Sequence, residues 1–269
     1  MPTKQMDFFS SLLSYPMKLT VLGCGTSTGV PVIGCHCAVC SSTERKNKRS
    51  RSSLLIREKG RNILIDTSTD LRSQSLANGL ERIDAVLFTH PHADHIHGID
   101  ELRAFNLAQD GAIPCYGGTE TVNRIRAIFD YIFRDDVNDG WKPNLTTEVV
   151  EGPFKAAGVE ITPVAIHHGP AVILGYRVGR AAYLTDCSSI PEESMELIRG
   201  VDVLILGALR HKPHPTHFTI KQAVEASKRA GAKRTILTHL SHNIDYGKDN
   251  ALLLPEGVEL AYDGMVVEA

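Results

Sequence analysis

The chain has 269 residues, of which 42% are hydrophobic and 22% are charged, and its 29 Lys and Arg nearly balance its 31 Asp and Glu. This composition is typical of a globular protein and excludes disordered, collagen-like and disulfide-scaffold chains. The formal net charge of −2 gives no whole-molecule attraction to nucleic acid or to an anionic membrane. No apolar run approaches the ~18 residues that a membrane helix needs, so we expect no membrane partner.

Residues 1–16 precede the first strand pattern of the chain. The segment from Phe8 to Tyr15 is mildly apolar and follows Lys4, as in a short export signal. It lacks a strong apolar block and a small-residue cleavage site. We therefore expect an N-terminal extension over residues 1–16, a single domain over 17–269 and a cytoplasmic location. In that reducing compartment the six cysteines are expected to stay free of disulfides.

Short β-rich runs alternate with helical patterns along the rest of the chain, which predicts an α/β fold. Apolar residues recur at helical spacing over Thr119–Phe133, and a weaker stripe over 220–230 follows Thr219, a candidate N-cap, and stops at Gly231. Helical material at about 96–135 separates an early from a late set of strands, which predicts two sheets. The predicted strands are Lys18–Gly23, Ser52–Arg57, Asn62–Asp66, Ala85–His90, Val159–Ile166, Ile173–Val178, Ala181–Asp186, Val201–Gly207, Arg234–His239 and Val258–Tyr262.

Four of these strands end in a side chain that can bind a metal ion, namely Asp66, His90, Asp186 and His239. A rigid sheet holds its strand ends in place while leaving them open to solvent, so it supports functional sites there. One such ending means little. Four such strand ends predict that these side chains lie together at one rim of the sheets, which carries the functional site.

The strongest signal is the run His90-Pro91-His92-Ala93-Asp94-His95. Four ligand-type residues stand within six positions directly after a strand. Nitrogen and oxygen ligands of this kind suit Zn, Mn or Fe, and two groups of them can hold two ions about 3.5–4 Å apart. Both groups need later ligands, and the sequence offers His167 or His168, Asp186 and His239.

In order and spacing these residues resemble the ligands of the metallo-β-lactamase superfamily. The resemblance implies an αββα sandwich of two mixed β-sheets flanked by helices. Choosing His168 over His167 depends on aligning the segment from Thr162 with the family pattern. Asp66 matches an early aspartate of the family that accepts a hydrogen bond from a metal ligand and so orients it. The implied ligands are His90, His92 and His168 for one ion, Asp94, His95 and His239 for the other, and Asp186 as the bridge between them.

Further segments resemble the phosphonate-pathway cyclic phosphodiesterase group. Its members open a cyclic phosphate on a ribose in carbon–phosphorus lyase metabolism. The glycines alone are weak evidence, because a tight turn explains them equally well. The matching segments are Gly23–Pro31, Cys35–Cys40, Thr238–His242 and Tyr262–Met265.

The cysteines at 35, 37 and 40 indicate a second kind of metal site. Three thiolates can occupy three corners of a tetrahedron, which leaves one corner for a distant ligand. His242 fits this role, since it lies three residues after His239. The resemblance implies a structural zinc held by Cys35, Cys37, Cys40 and His242, and a closed shell of this kind has no catalytic position.

His217 matches a family histidine that protonates the leaving oxygen, a role that requires a group near neutral pKa and not committed to metal. His211 and His214 are nearby competitors for this role. Arg103 and Arg210 are candidate phosphate contacts by charge and placement only, with a solvated salt bridge as the alternative.

The run from Glu44 to Arg51 carries five basic residues in eight positions. It can attract an anionic substrate or RNA, but an exposed flexible loop is the favoured interpretation. Aromatic residues, which single-strand binding favours, do not interleave with these charges.

Together the residues and the resemblance predict a phosphodiesterase with two divalent ions, Mn or Zn, in its active site. A metal-bridged hydroxide is expected to attack a small phosphodiester such as a ribose cyclic phosphate. The alternative is an RNA-processing endonuclease resembling ribonuclease Z. Against it, no Gly/Pro-rich basic arm stands between His95 and His168. A non-catalytic metal-dependent protein is the third hypothesis, and a homodimer is expected by analogy alone.

Overall fold

The computed structural model describes residues 16–136, 142–252 and 254–269, so the extension predicted over 1–16 lies outside the described residues except for Pro16. The described strands are β1 Lys18–Gly23, β2 Ser53–Glu58, β3 Arg61–Ile65, β4 Ala85–Phe88, β5 Ile113–Gly117, β6 Leu145–Val149, β7 Phe154–Ala156, β8 Val159–His168, β9 Ala171–Val178, β10 Ala181–Leu184, β11 Val203–Gly207, β12 Arg234–Thr238, β13 Val258–Leu260 and β14 Met265–Glu268. The described α-helices are α1 Leu71–Ala77, α2 Ala93–Ile96, α3 Leu102–Ala108, α4 Thr119–Ile128, α5 Asp130–Phe133, α6 Glu192–Leu197, α7 Ile220–Ala230 and α8 Tyr246–Leu252. Short 3₁₀ turns span Arg45–Asn47 and Ile99–Glu101.

The strands form two seven-stranded sheets with the orders β14-β1-β2-β3-β4-β5-β6 and β13-β12-β11-β10-β9-β8-β7. Each sheet is mixed. β3 to β6 run parallel in the first sheet, and β10 to β13 run parallel in the second. The prediction of an early and a late sheet is confirmed, with the addition that β14 returns to pair with β1.

Alternating side chains of the strands fill three apolar layers. Ile63 and Ile65 of β3 join the core between the two sheets, where Tyr176 and Ile205 of the second sheet also lie. Leu64 points the other way, into the core beneath the helices of the first sheet. A separate core lies between the second sheet and helices α6 and α7. Because each fully buried aliphatic side chain stabilises the fold by about 1.5–3 kcal/mol, this layering accounts for the αββα sandwich.

Helix α7 has the limits that the sequence predicts. The Thr219 hydroxyl accepts from the backbone N–H of Gln222, and the Gln222 side chain accepts from the backbone N–H of Thr219. Gly231 follows the last helical residue in a left-handed conformation, with φ of 63°. Both ends are set by local capping chemistry, which is why the sequence alone locates them.

The predicted helical stretch of 96–135 is wrong at its centre, where β5 lies between β4 and β6 in the first sheet. This strand contains Pro114, which made it unlike a strand in sequence. The helix predicted over Thr119–Phe133 is divided at Phe129, whose φ of −110° and ψ of 43° are not helical. Among the described residues, no helix combines the length and the apolar character needed to cross a bilayer.

Candidate metal centre

The four strand ends singled out in the sequence lie at one rim of the sandwich. Asp66 follows β3, His90 lies just after β4, Asp186 just after β10 and His239 directly after β12, and all four side chains are buried. Asp66, Asp186 and His239 have positive φ angles of 63°, 54° and 57°. Such a backbone costs about 1–3 kcal/mol in a residue other than glycine, and strain of this kind clusters at functional sites.

The rim brings the predicted metal ligands together. In each of the following groups, one ligand atom per residue lies within 4.8 Å of the others. His168 belongs to one of them and His167 to none, so the choice between the two agrees with the geometry. The groups are His90, His92, His168 and Asp186; Asp94, His95 and His239; and Asp186, His217 and His239.

The carboxylate of Asp186 faces both halves of this arrangement. Its Oδ2 lies 3.7 Å from Nε2 of His90. Its Oδ1 lies 3.4 Å from Nε2 of His95 and 3.2 Å from Nε2 of His239. One oxygen therefore addresses each group, which is the geometry of a bridging ligand.

The electrostatics of the rim favour ionised carboxylates. Burial alone would raise the pKa of Asp186, but the imidazoles of His239 and His95 hold that pKa well below its usual value. Burial alone would lower the pKa of His95, and the carboxylates of Asp186, Asp66 and Asp94 instead raise it well above its usual value. Positive charge is thus strongly stabilised at the centre of the rim.

Hydrogen bonds fix which nitrogen of two imidazoles is available. Nδ1 of His168 lies 2.8 Å from the carbonyl oxygen of Thr216, and Nδ1 of His95 lies 2.7 Å from Oδ2 of Asp66. A carbonyl or carboxylate oxygen only accepts, so each Nδ1 carries the proton. Nε2 is therefore the nitrogen left to bind a metal ion in both rings, and in His95, whose raised pKa favours the imidazolium, metal binding would release the Nε2 proton.

A buried hydroxyl extends this control to His90. Asp66 accepts from the backbone N–H of Thr89 at 2.8 Å and from the Thr89 hydroxyl at 2.9 Å. Burial raises the pKa of Asp66, and the bonds from His95 and Thr89 oppose this rise. Because the Thr89 hydroxyl donates to Asp66, its oxygen accepts from Nδ1 of His90, 3.0 Å away. Asp66 thus orients His95 directly and His90 through Thr89.

The donor set fits divalent cations. Oδ2 of Asp94, Nε2 of His95 and both ring nitrogens of His239 are buried without a hydrogen-bond partner among the described residues. Buried polar atoms rarely stay unpaired in a folded protein. Metal–ligand bonds of about 2.05 Å in a tetrahedron place ligand atoms about 3.3 Å apart. Nε2 of His90 lies 2.9 Å from Nδ1 of His92 and 3.7 Å from Oδ2 of Asp186, on either side of this value.

Replacing Thr89 with valine tests the link through its hydroxyl. Valine keeps the shape of the side chain but leaves Nδ1 of His90 without its acceptor. We expect the affinity of the His90 group for Zn²⁺ to fall about 10–100-fold, as for other groups that orient metal ligands. Calorimetric titration of the chelated and dialysed protein measures this change, and Thr89→Ser is the matched control that restores the hydroxyl. Equal affinities in the valine and serine variants would exclude the link.

His217 lies at the edge of the rim. Its Nδ1 is 4.0 Å from Oδ2 of Asp186, and its ring stacks on that of His239 with centroids 5.0 Å apart. Burial lowers the pKa of His217 to about 3, so that its imidazole is neutral at pH 7. Two other histidines were candidates for the same role. The ring of His214 lies next to that of His217, with centroids 5.0 Å apart, whereas Nε2 of His211 lies 3.4 Å from Oδ2 of Asp249.

The two arginines predicted as phosphate contacts belong to none of the ligand groups. Arg103 is exposed on α3, close enough to Tyr131 to influence the pKa of its phenol. The guanidinium of Arg210 donates to the backbone carbonyls of Lys212 and Pro213, at 3.1 and 2.9 Å. A substrate contact by either arginine stays a prediction.

A second metal-type group joins the loop of residues 35–40 to the turn after β12. Nδ1 of His242 lies 3.3, 3.6 and 3.5 Å from the sulfurs of Cys35, Cys37 and Cys40. A zinc ion with bonds of about 2.3 Å to sulfur and 2.05 Å to nitrogen gives a separation of about 3.6 Å. Hydrogen bonding, chiefly from the backbone N–H of Cys40, lowers the pKa of Cys37 to about 6, which favours the thiolate. The donor set fits a closed tetrahedral site.

Thr89 and Thr216 make contacts to candidate ligands that the sequence did not predict. Thr89 immediately precedes His90, so its position next to the ligand run was the available signal. The carbonyl of Thr216 has no sequence signal, because its contact with His168 joins segments 48 residues apart.

The chain resembles known proteins over most of its length. A family model described as "Beta-lactamase superfamily domain" matches residues 61–240. An octanoyltransferase of Porphyromonas gingivalis is 40% identical over 93% of this chain, which spans only about half (51%) of that protein. A ribonuclease Z of Anoxybacillus flavithermus is 27% identical, with 83% of this chain and 87% of that protein aligned. In a solved structure, a diphosphatase from the PhnP family superposes with a TM-score of 0.88 at 43% identity, over 94% of this chain and 98% of that chain.

Proposed function

Because the chain belongs to the metallo-β-lactamase superfamily, we propose that it is a metal-dependent phosphodiesterase that hydrolyses a small phosphodiester. The observation that carries the proposal is the Asp186 carboxylate, whose two oxygens face His90 on one side and His95 and His239 on the other. The two groups would hold two divalent ions, Mn or Zn, which when bound would supply Lewis acidity and lower the pKa of water enough to give a nucleophile at neutral pH.

The residues of the chain supply the positioning. Asp66 and Thr89 hold the rings of His95 and His90 so that their Nε2 atoms face the centre of the rim. The carbonyl of Thr216 does the same for His168 and ties this ring to the loop that carries His217. One network therefore fixes both the ligands and the proposed proton donor, which reduces the reorganisation needed during the reaction.

A ribose cyclic phosphate is the substrate that the sequence resemblance favours. The similarity to a diphosphatase of the PhnP family supports this class, since a diphosphatase also cleaves a phosphorus–oxygen bond. A structural zinc bound by the cysteine group is the other part of the proposal. It would hold residues 35–40 against His242, close to His239 at the end of β12.

A substrate panel tests the proposal. The protein supplied with Mn²⁺ or Zn²⁺ is expected to hydrolyse bis(p-nitrophenyl) phosphate and a ribose cyclic phosphate, and phosphomonoester product formation measures the turnover. Absence of hydrolysis of every phosphodiester by the metal-loaded protein would contradict the proposal and favour a non-catalytic role.

RNA processing is the second candidate, favoured by the similarity to ribonuclease Z. A protein that neutralises several phosphates of RNA loses affinity steeply as salt rises, whereas a small substrate gives a shallow dependence. We expect the affinity for substrate to change little between about 50 and 200 mM salt, a range over which the affinity of an RNA-binding protein falls steeply. A steep dependence together with cleavage of a tRNA precursor would select the RNA-processing function.

Replacing His217 with alanine tests its role as proton donor. The negative charge of a bound phosphodiester raises the pKa of a neighbouring imidazole, which is the direction that a general acid needs. For a substrate with an alkoxide leaving group we expect kcat to fall by about 10²–10⁴. For bis(p-nitrophenyl) phosphate the loss is expected to be small, because p-nitrophenolate departs without a proton. Equal losses on both substrates, with loss of bound metal, would instead identify His217 as a metal ligand.

A further inference from the structure

A cavity apart from the rim, here called the cationic cleft, lies between the segment 44–50, helix α1 and the turn 262–264. Its volume is about 710 Å³. None of the candidate metal ligands lines it. Its lining includes Arg45, Lys46, Lys48, Ser73, Asn78 and Tyr262.

The basic run from Glu44 to Arg51, predicted as a flexible loop, is folded. Its five basic side chains fall into two sets, two that pair with other parts of the fold and three that line the cleft. Arg49 is buried and donates to the carbonyls of Ser241 and Ile244 at 3.0 and 2.9 Å, so it holds the turn after β12. Arg51 pairs with Asp70 at 3.0 Å. The three remaining cations of the run all line the cationic cleft.

Two of these cations have partners that orient their side chains. Nζ of Lys46 donates to the hydroxyl of Tyr246 at 3.2 Å and lies 4.4 and 4.3 Å from the ring centroids of Tyr246 and Tyr262. Nζ of Lys48 donates to the carbonyl of Cys40 at 3.2 Å. Each ammonium group has three N–H donors, so both retain donors for a ligand. Cations that are already ordered lose less entropy when a ligand binds.

The two carboxylates that line the cleft are engaged by the backbone. One oxygen of Asp263 accepts from the N–H of Cys24, and the other accepts from the N–H and the hydroxyl of Ser50. Glu44 accepts from the N–H of Lys46 at 3.0 Å. Three cations therefore line the cavity with two carboxylates whose oxygens already accept hydrogen bonds, so the cations are in excess and keep donors for an anionic ligand.

We propose that the cationic cleft binds a small organic phosphate, of the size of a nucleotide. The volume lies within the range of about 300–1,000 Å³ that small-molecule sites occupy. The guanidinium of Arg45 matches two phosphate oxygens, and the ammonium groups of Lys46 and Lys48 act as point charges beside it. Ser73 and Asn78 on the opposite wall offer hydrogen bonds to the organic part of the ligand. The proposal is independent of the chemistry at the rim.

Calorimetric titration of the metal-loaded protein with AMP, and with adenosine as the uncharged probe, tests the proposal. We expect AMP to bind the wild type and adenosine to bind at least tenfold more weakly. The double variant Arg45→Ala/Lys48→Ala is expected to lose this AMP site, with affinity at least tenfold lower. Lys46 stays unchanged in the test because it packs on the two tyrosines.

The matched control is Lys59→Ala/Lys155→Ala, which removes two lysines from the separate cavity near β7 and β8. It is expected to bind AMP as the wild type does. Both double variants are expected to hydrolyse bis(p-nitrophenyl) phosphate at the wild-type rate. Loss of AMP binding at the cleft can therefore be told apart from loss of hydrolysis at the rim. Equal AMP affinity in the cleft variant and the wild type would overturn the proposal, as would adenosine binding as tightly as AMP.

Discussion

Replacing Asp186 with alanine is expected to lower the turnover of a phosphodiester by at least about 10³-fold. Loss of a single preorganised electrostatic group commonly costs 10²–10³ in kcat, and Asp186 addresses both metal groups at once. Its Oδ1 is 3.2 Å from Nε2 of His239 and its Oδ2 is 3.7 Å from Nε2 of His90, so truncation would remove the proposed shared ligand from both groups. Steady-state kinetics together with metal analysis of the purified variant measure the effect.

Two further variants make this result specific. Asp186→Asn keeps the shape and tolerates the φ of 54°, since asparagine adopts left-handed conformations readily. We expect it to fold like the wild type and to share the loss of turnover. Asp202→Ala is the control, because Asp202 lies at the opposite end of the parallel strands, where it pairs with Arg180 and Lys233. Wild-type turnover in both Asp186 variants would rule out the bridging role.

Replacing Cys37 with serine is expected to lower the stability of the protein while leaving the rim chemistry intact. A zinc ion bound by the cysteine group closes a loop of about 200 residues between Cys40 and His242. Closing a loop of that length stabilises a fold by roughly 3–5 kcal/mol. Loss of about 3 kcal/mol corresponds to a fall in Tm of roughly 6–12 °C for a chain of this size. Thermal unfolding and the zinc content per chain measure both expectations.

His36→Ala is the matched control for the cysteine group. His36 lies between Cys35 and Cys37 but is exposed and belongs to none of the described ligand groups. We expect its Tm and zinc content to equal those of the wild type. If the Cys37→Ser protein binds one zinc ion fewer per chain but unfolds at the wild-type Tm, the site has no role in stability.

The sequence predicted the rim because its ligands follow buried strands directly. A strand that ends in Asp66, His90, Asp186 or His239 shows a change from apolar to polar residues that is visible without coordinates. The family resemblance implied two mixed sheets, and the structure adds the parallel pairing that brings these ends to one place. The left-handed backbone at three of the four positions had no signal, since such conformations are normally expected of glycine.

Errors arose where tertiary contacts override local pattern. β5 is a strand because it is enclosed between β4 and β6, although Pro114 argues against it in sequence. Arg49 was placed in a flexible loop by the charge of its neighbours, but the carbonyls of Ser241 and Ile244, almost two hundred residues away, bury it. Contacts of this range are not encoded in any short window of the chain.

Metal removal and resupply test the central claim most directly. The protein is stripped with a chelator, then titrated with Mn²⁺ or Zn²⁺ while the metal content per chain and the hydrolysis of bis(p-nitrophenyl) phosphate are recorded together. We expect the stripped wild type to be inactive and turnover to return in step with occupancy of the rim, with Asp186→Asn inactive throughout. Turnover that persists in the stripped protein, or full metal loading without any turnover, would contradict the account.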